Sequence, residues 1–226
     1  MAISFSNQCR RHFNASLALA AGLGLSLLTT PVNALSEKPV ASPVILVVGD
    51  SLSAEYGLAR GTGWVALLEK KLAIEKVPAK VVNASISGDT TSGGRSRLGA
   101  LLAQHKPTHV VIELGANDAL RGLPMAMTAD NLSAMTEAAQ KSEAKVLLVG
   151  MQLPPNFGAD YGKQFASTFE KVAAAKKTGL VPFFLKGVAD IADPTQLFQA
   201  DRIHPKAEAH PIMLANVWPE LKKLLK

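Results

Sequence analysis

Val44-Ile45-Leu46-Val47-Val48-Gly49-Asp50-Ser51-Leu52-Ser53 passes from five β-branched or aliphatic residues into a polar loop opened by a glycine. An unbroken apolar run of this length, bounded by turn residues, reads as a strand covered on both faces. Four further runs of the same kind follow: Lys80-Val81-Val82-Asn83, His109-Val110-Val111-Ile112-Glu113-Leu114, Val146-Leu147-Leu148-Val149 and Leu180-Val181-Pro182-Phe183-Phe184. Stretches with helical spacing lie between them. Trp64, Leu67, Leu68 and Leu72 fall at i, i+3, i+4 and i+8, and Leu98, Leu101, Leu102 and Phe165, Phe169, Val172 repeat the pattern. A last helix is expected to open at Pro205 and run to Leu225, with kinks or breaks at Pro211 and Pro219. Alternation of this sort predicts a single α/β domain built on a central five-stranded parallel sheet with helices on both faces.

The chain has 226 residues, 48% of them hydrophobic and 19% charged, with a net charge of +6. These values belong to a folded chain of one domain and exclude a disordered one. Residues 1–34 read as an export signal: Arg10 and Arg11, then fourteen small or apolar residues from Ala15 to Leu28, then Val32-Asn33-Ala34 as a cleavage site. Fourteen apolar residues fall short of the roughly 20 that span a bilayer. The expected domain is therefore 35–226, located in the periplasm or secreted and without stable membrane insertion; a monomer is expected, although no motif in the sequence argues for it. Cys9, the only cysteine, lies in the presumed signal, so disulfides, a thiolate nucleophile and Cys-ligated zinc are excluded from the mature chain. No basic run interleaved with aromatics points to nucleic acid. No Walker loop and no G-x-G-x-x-G after a strand points to a nucleotide.

In a parallel sheet, ligands gather beyond the carboxyl ends of the strands, so the loops there are the place to look for chemistry. Ser51 lies two residues beyond the first strand. Taken alone it reads as a helix cap, and Ser53 breaks the G-x-S-x-G elbow pattern. His204 stands before a proline with Asp201 three residues earlier, close enough for the carboxylate to reach the ring Nδ1–H; in isolation the pair reads as a local ion pair or cap. Gly88 offers an unhindered backbone N–H and Asn117 a side-chain amide, yet each alone is an ordinary turn residue. Asp89 and Asp118 compete with Asp201 for the place beside the histidine. A serine with a histidine base, an orienting carboxylate and donors for an oxyanion would together suit acyl transfer.

Four blocks in order, Gly49-Asp50-Ser51-Leu52-Ser53, Ser87-Gly88-Asp89-Thr90, Gly115-Ala116-Asn117-Asp118 and Asp201-x-x-His204-Pro205, resemble those of the SGNH (GDSL) hydrolase family. The stretch from Val82 to Thr90, with Glu113-Leu114-Gly115 and Leu120-Arg121-Gly122, is similar to its periplasmic acyl-CoA thioesterase, lysophospholipase and arylesterase branch. The resemblance implies a flavodoxin-like three-layer sandwich. It implies Ser51 as nucleophile, His204 as base, Asp201 as its partner, and Ser51 N–H, Gly88 N–H and Asn117 as the oxyanion hole. It implies a small acyl ester or thioester as substrate and no cofactor or metal. The apolar loop Leu153, Pro154 and Phe157, with Leu197 and Phe198, is the expected acyl-binding surface. A carbohydrate or peptidoglycan O-acetylesterase is the alternative activity, and a non-catalytic periplasmic binding protein the alternative class. Two departures from the family pattern are Ala116, in place of a glycine, and Glu55, expected to place negative charge near the entrance and disfavour anionic acyl donors.

Overall fold

In the computed structural model, whose described residues are 42–226, the apolar run from Val44 is strand β1 (Val44–Gly49). The expected export segment 1–34 and the opening of the 35–226 domain lie outside the described residues. Along the chain follow α1 (Trp64–Ile74), β2 (Lys80–Asn83), α2 (Thr91–His105), β3 (His109–Glu113), α3 (Ala116–Leu120) and α4 (Met125–Lys141). Then come β4 (Lys145–Val149), α5 (Ala159–Lys176), β5 (Gly179–Val181) and α6 (His210–Leu224). Every strand pair is parallel, in the order β2-β1-β3-β4-β5. Helices α1 and α6 pack together on one face, and α2, α4 and α5 on the other. Covering both faces explains why the inner strands are continuously apolar: Ile45 to Val48 are wholly buried, as are the residues of β3.

The direction of winding reverses between β1 and β3, since the chain leaves β1 toward β2 on one side and returns to β3 on the other. The crevice beyond their carboxyl ends is the expected ligand site of such a sheet. It receives the turn after β1, which carries Ser51, and the short helix α3 that follows β3, which carries Asn117.

Three local expectations differ from the structure. Helix α4 was not anticipated, because its buried face is built from Thr128, Asn131, Leu132, Met135, Thr136 and Ala139, in which polar and small residues dilute the apolar period. The last helix begins at His210, not Pro205. Pro205 instead forms a bridge with Phe198, and Pro211 falls in the first turn of α6, where a missing N–H costs nothing. Pro219 lies inside α6, which continues through it. The fifth strand ends at Val181, before Pro182, although Phe184 N–H still bonds to Gly150 O.

His210 joins the two helices of one face: buried, it accepts the Trp64 N–H at Nδ1 (3.0 Å) at the start of α1. Burial holds its ring below the ordinary value of 6.5. A histidine kept neutral in the folded state stabilises the protein above the unfolded pKa and loses that contribution as pH falls through 6.5 toward the folded value. His210→Gln can still accept the Trp64 N–H but cannot titrate. Thermal melts should therefore show the wild type losing Tm relative to His210→Gln between pH 7 and pH 5; a constant difference would refute the assignment.

Candidate active site

The loop after β1 makes one tight turn. Ser53 N–H and Ala54 N–H both reach Asp50 O, Leu52 N–H bonds to Asp50 Oδ1, and Glu55 at φ 60° ends the turn. Helix α1 begins only at Trp64, so Ser51 sits on an isolated turn and does not cap a helix, as it would if read alone. Gly49 is required for close approach: a Cβ there would lie 2.7 Å from Ser53 Oγ and 2.8 Å from Glu113 Oε2.

Ser51 Oγ lies 2.9 Å from His204 Nε2, and His204 Nδ1 lies 2.7 Å from Asp201 Oδ2. The hydroxyl and the imidazole are 153 residues apart in the chain. Asp201 does not reach His204 through a helical turn. Its Oδ1 accepts the N–H groups of Ile203 (2.9 Å) and His204 (3.0 Å), and Arg202 takes the left-handed conformation that closes this short loop. The His204 N–H bond, then the bond from the His204 ring and the Ile203 N–H bond, lower the Asp201 pKa to about 2. With Nδ1–H donating to that carboxylate, Nε2 carries the lone pair facing Ser51.

The His204 loop is tied to the Ser51 loop. Gln199 N–H bonds to His204 O (2.7 Å), and the Gln199 side chain donates to Tyr56 O and Pro205 O. The Tyr56 ring lies over the imidazole with centroids 4.3 Å apart. Glu55 does not face an entrance. Its carboxylate accepts the N–H groups of Gly61 and Gly63 and is consumed in shaping the loop before α1.

Gly88 adopts φ 77°, a conformation that favours glycine, and its carbonyl accepts from Arg121 Nη2. Asn117 links the two neighbouring loops: Nδ2 donates to Asp50 Oδ2 (3.1 Å), one residue before Ser51, and to Asp89 O (3.0 Å), one residue after Gly88. Both of its amide hydrogens thus have internal acceptors, which the sequence did not reveal. The two competing carboxylates are engaged elsewhere. Asp89 pairs with Arg97 at 2.8 Å, while buried Asp118 accepts from Thr91 N–H (2.8 Å), from the Thr91 hydroxyl and, at longer range, from Thr128. Asp118 thereby holds the loop of Asn117 against the first turn of α2.

Leu153 and Pro154 line a cavity of about 290 Å³ with Gln152, Pro155, Gly158 and Lys163, and Phe157 stands half-buried outside that lining. The hydroxyl of Tyr161 donates to Ala119 O (3.2 Å), which joins this region to the segment that follows Asn117. Phe198 lines a second cavity, of about 420 Å³, with Arg202 and Lys206, and Leu197 packs against the core. Exposed apolar side chains border the site residues: Tyr56 over His204, Ile203 beside it, Ile86 two residues before Gly88, and Leu120 three after Asn117. Nothing in their spacing marked them, since exposure of a single apolar side chain is a tertiary property.

Beneath Ser51 lies a buried polar chain. Glu113 Oε2 accepts the Ser53 hydroxyl (2.7 Å) and, at 3.4 Å, the Asp50 N–H, and Trp64 Nε1 donates to Ser53 Oγ (3.0 Å). Burial raises Asp50 to about 6 and pushes Glu113 well above the usual carboxyl range, with the Asp50 charge adding to the effect on Glu113.

The chain resembles known ester hydrolases along most of its length. It is 51% identical over 210 residues to esterase TesA of Pseudomonas aeruginosa, covering 93% of this chain and 99% of that protein. It is 37% identical over 191 residues to thioesterase 1/protease 1/lysophospholipase L1 of Escherichia coli, covering 84% and 89%. Among crystal structures it resembles that of TesA, with a TM-score of 0.77 and 55% identity over 80% of this chain and 99% of the other. It also resembles the psychrotrophic esterase EstA from Pseudoalteromonas sp., in a structure inhibited by monoethylphosphonate, with a TM-score of 0.75 and 41% identity over 80% and 98%. Residues 47–212, which include the Ser51, Gly88, Asn117 and Asp201-x-x-His204 blocks, match the GDSL-like lipase/acylhydrolase family, and the chain belongs to it.

Proposed function

We propose that this serine ester hydrolase acts through an acyl-enzyme, with Ser51 as nucleophile, His204 as general base and acid, and Asp201 as the group that fixes the imidazole tautomer. The observation that carries this reading is the relay of 2.9 Å and 2.7 Å from hydroxyl to ring to carboxylate. Such geometry suits proton transfer from a nucleophile as it attacks.

Ser51 Oγ attacks the carbonyl carbon of an ester or thioester while Nε2 takes its proton. The oxyanion that forms is held by the N–H groups of Ser51 and Gly88 and by the Asn117 amide, which shares a hydrogen otherwise held by Asp50 or Asp89. Collapse breaks the bond to the alcohol or thiol, and that group leaves with the proton from Nε2. Water then attacks the acyl-Ser51 carbonyl, gives its proton to Nε2, and the second collapse returns the proton to Ser51 as the acid departs. Removal of one such donor typically costs 10²–10³ in kcat, so Asn117→Ala should fall by roughly that factor with little change in KM.

The acyl chain runs from Ser51 past Leu120 toward Leu153, Pro154 and Phe157, the apolar surface that adjoins the segment following Asn117. The substrate is a small-molecule acyl ester or thioester, and the chemistry calls on no metal or cofactor. We read residues 1–34 as an export signal that delivers a monomeric enzyme to the periplasm or the medium; among the described residues no helix is long and apolar enough to cross a membrane.

Labelling by a fluorophosphonate, followed by rates on p-nitrophenyl acetate, octanoate and palmitate, tests the reading. Covalent labelling at Ser51 and a rate that persists at octanoate are expected. Activity confined to acetate would favour the O-acetylesterase alternative, and an unlabelled protein would favour a binding role.

A further inference from the structure

Two carboxyl residues, Asp50 and Glu113, 1% and 2% exposed, lie together directly beneath the Ser51 loop, with Glu113 paired to Gly49 across β1 and β3 and its Oε2 3.4 Å from the Asp50 nitrogen, and the mechanism above uses neither. Among the described residues, no Lys or Arg bonds to either one. Two unpaired negative charges at that distance in a buried site would repel strongly, so the pair is expected to hold one proton between them. The surrounding bonds decide where it sits. Asp50 accepts from Leu52 N–H and from the Asn117 amide, which favours its ionised form. Glu113 accepts only one hydroxyl and one long backbone contact, both at Oε2. With two close donors aimed at Asp50 but only one at Glu113, the proton is assigned to Glu113, whose acid O–H is then free to donate to the Asp50 carboxylate.

We propose that Glu113 and Asp50 are positioning residues for Asn117: a protonated Glu113 holds the Asp50 carboxylate in place, and that carboxylate fixes the Asn117 amide with its N–H groups at the Ser51 face. The inference rests on the ester-hydrolase reading of Ser51 and Asn117. Both neighbours of Nδ2 are acceptors, Asp50 Oδ2 and Asp89 O, so the amide cannot reverse without setting its carbonyl against an oxygen. Limiting the pair to a single charge also restricts the repulsion an oxyanion would meet beside Ser51. Gly49 is part of the device, because any side chain there would displace the Glu113 carboxyl.

The test joins infrared spectroscopy to kinetics on p-nitrophenyl butyrate at pH 8, where Asp50 is ionised. The wild type should show the carbonyl stretch of one buried protonated carboxylic acid, sensitive to deuterium exchange and absent from Glu113→Gln; a wild-type spectrum without that band overturns the proposal. Asp50→Asn should lower kcat tenfold or more with KM within twofold, and a wild-type kcat in that variant also overturns it. Glu113→Met should show a similar loss. Glu113→Gln, which keeps an N–H for Asp50 and an oxygen for Ser53, should restore kcat to within threefold. Should Glu113→Met fail to fold, the nearly isosteric Asp50→Asn and Glu113→Gln decide: a Gln variant as impaired as Asp50→Asn refutes the role given to the protonated acid. Ser51→Ala should retain the infrared band. A failure of the hydrolase reading, seen as undiminished activity in that variant, is thus told apart from a failure of the carboxyl pair.

Discussion

Ser51→Ala is expected to lower kcat for a p-nitrophenyl ester by on the order of 10⁵–10⁶, equivalent to about 7–8 kcal/mol of barrier, with the fold intact. Among the described residues the Ser51 hydroxyl is the one hydrogen-bonding partner of His204 Nε2, at 2.9 Å, so no described neighbour is placed to take over the attack. Ser53, the nearest serine in sequence, is 1% exposed, and its hydroxyl is bound between Glu113 and Trp64. Its removal from the reaction is what makes the expected loss so large. Circular dichroism and a melting curve would establish that the variant is folded, because Ser51 contributes no buried apolar surface. A variant retaining more than about a hundredth of the wild-type rate would reject Ser51 as nucleophile.

Asp201→Asn should reduce kcat by roughly 10⁴ while leaving KM little changed. The reason is geometric. Asp201 Oδ1 accepts two backbone N–H groups, from Ile203 and His204, so the single oxygen of an asparagine is claimed by that loop. The amide NH₂ must then face His204 Nδ1, which has to accept. The ring proton moves to Nε2, and Ser51 meets a donor where it needs an acceptor. With the Asp201 pKa at about 2, the wild-type carboxylate stays ionised across the working range, so the contrast between the two proteins should persist from pH 6 to pH 9. Asp118→Asn serves as the comparison: its carboxylate lies against Thr91 and not His204, and its loss should be smaller. A larger loss there would transfer the orienting role to Asp118.

The site was unevenly legible. Ser51, Gly88, Asn117, Asp201 and His204 stood out because each is a short polar or glycine-containing break after an apolar run, and four such breaks in a fixed order form a pattern no single one provides. Glu113 showed no such signal. It ends a β-strand, where an acidic residue reads as the last exposed position, and its 2% exposure comes from the packing of the Ser51 loop above it. Glu55 misled for the converse reason: a charged side chain in a loop reads as solvated, whereas the turn folds back and supplies two backbone N–H groups for it. Helix α4 escaped because threonine, alanine and asparagine on its inner face mask the period of 3.6.

Local chemistry, written in the order of residues, determined the parallel α/β architecture and the family. Burial on both faces forces continuous apolar strands, and loops that carry reactive groups cannot lie within them. Proton positions and neighbours were decided only by the tertiary structure. That the Ser51 hydroxyl meets His204, where both Asn117 hydrogens go, and that two acids lie buried together under the Ser51 loop all depend on groups separated by tens of residues. Hydrogen bonds and charge interactions act over a few ångströms of space, and a linear chain does not record that distance.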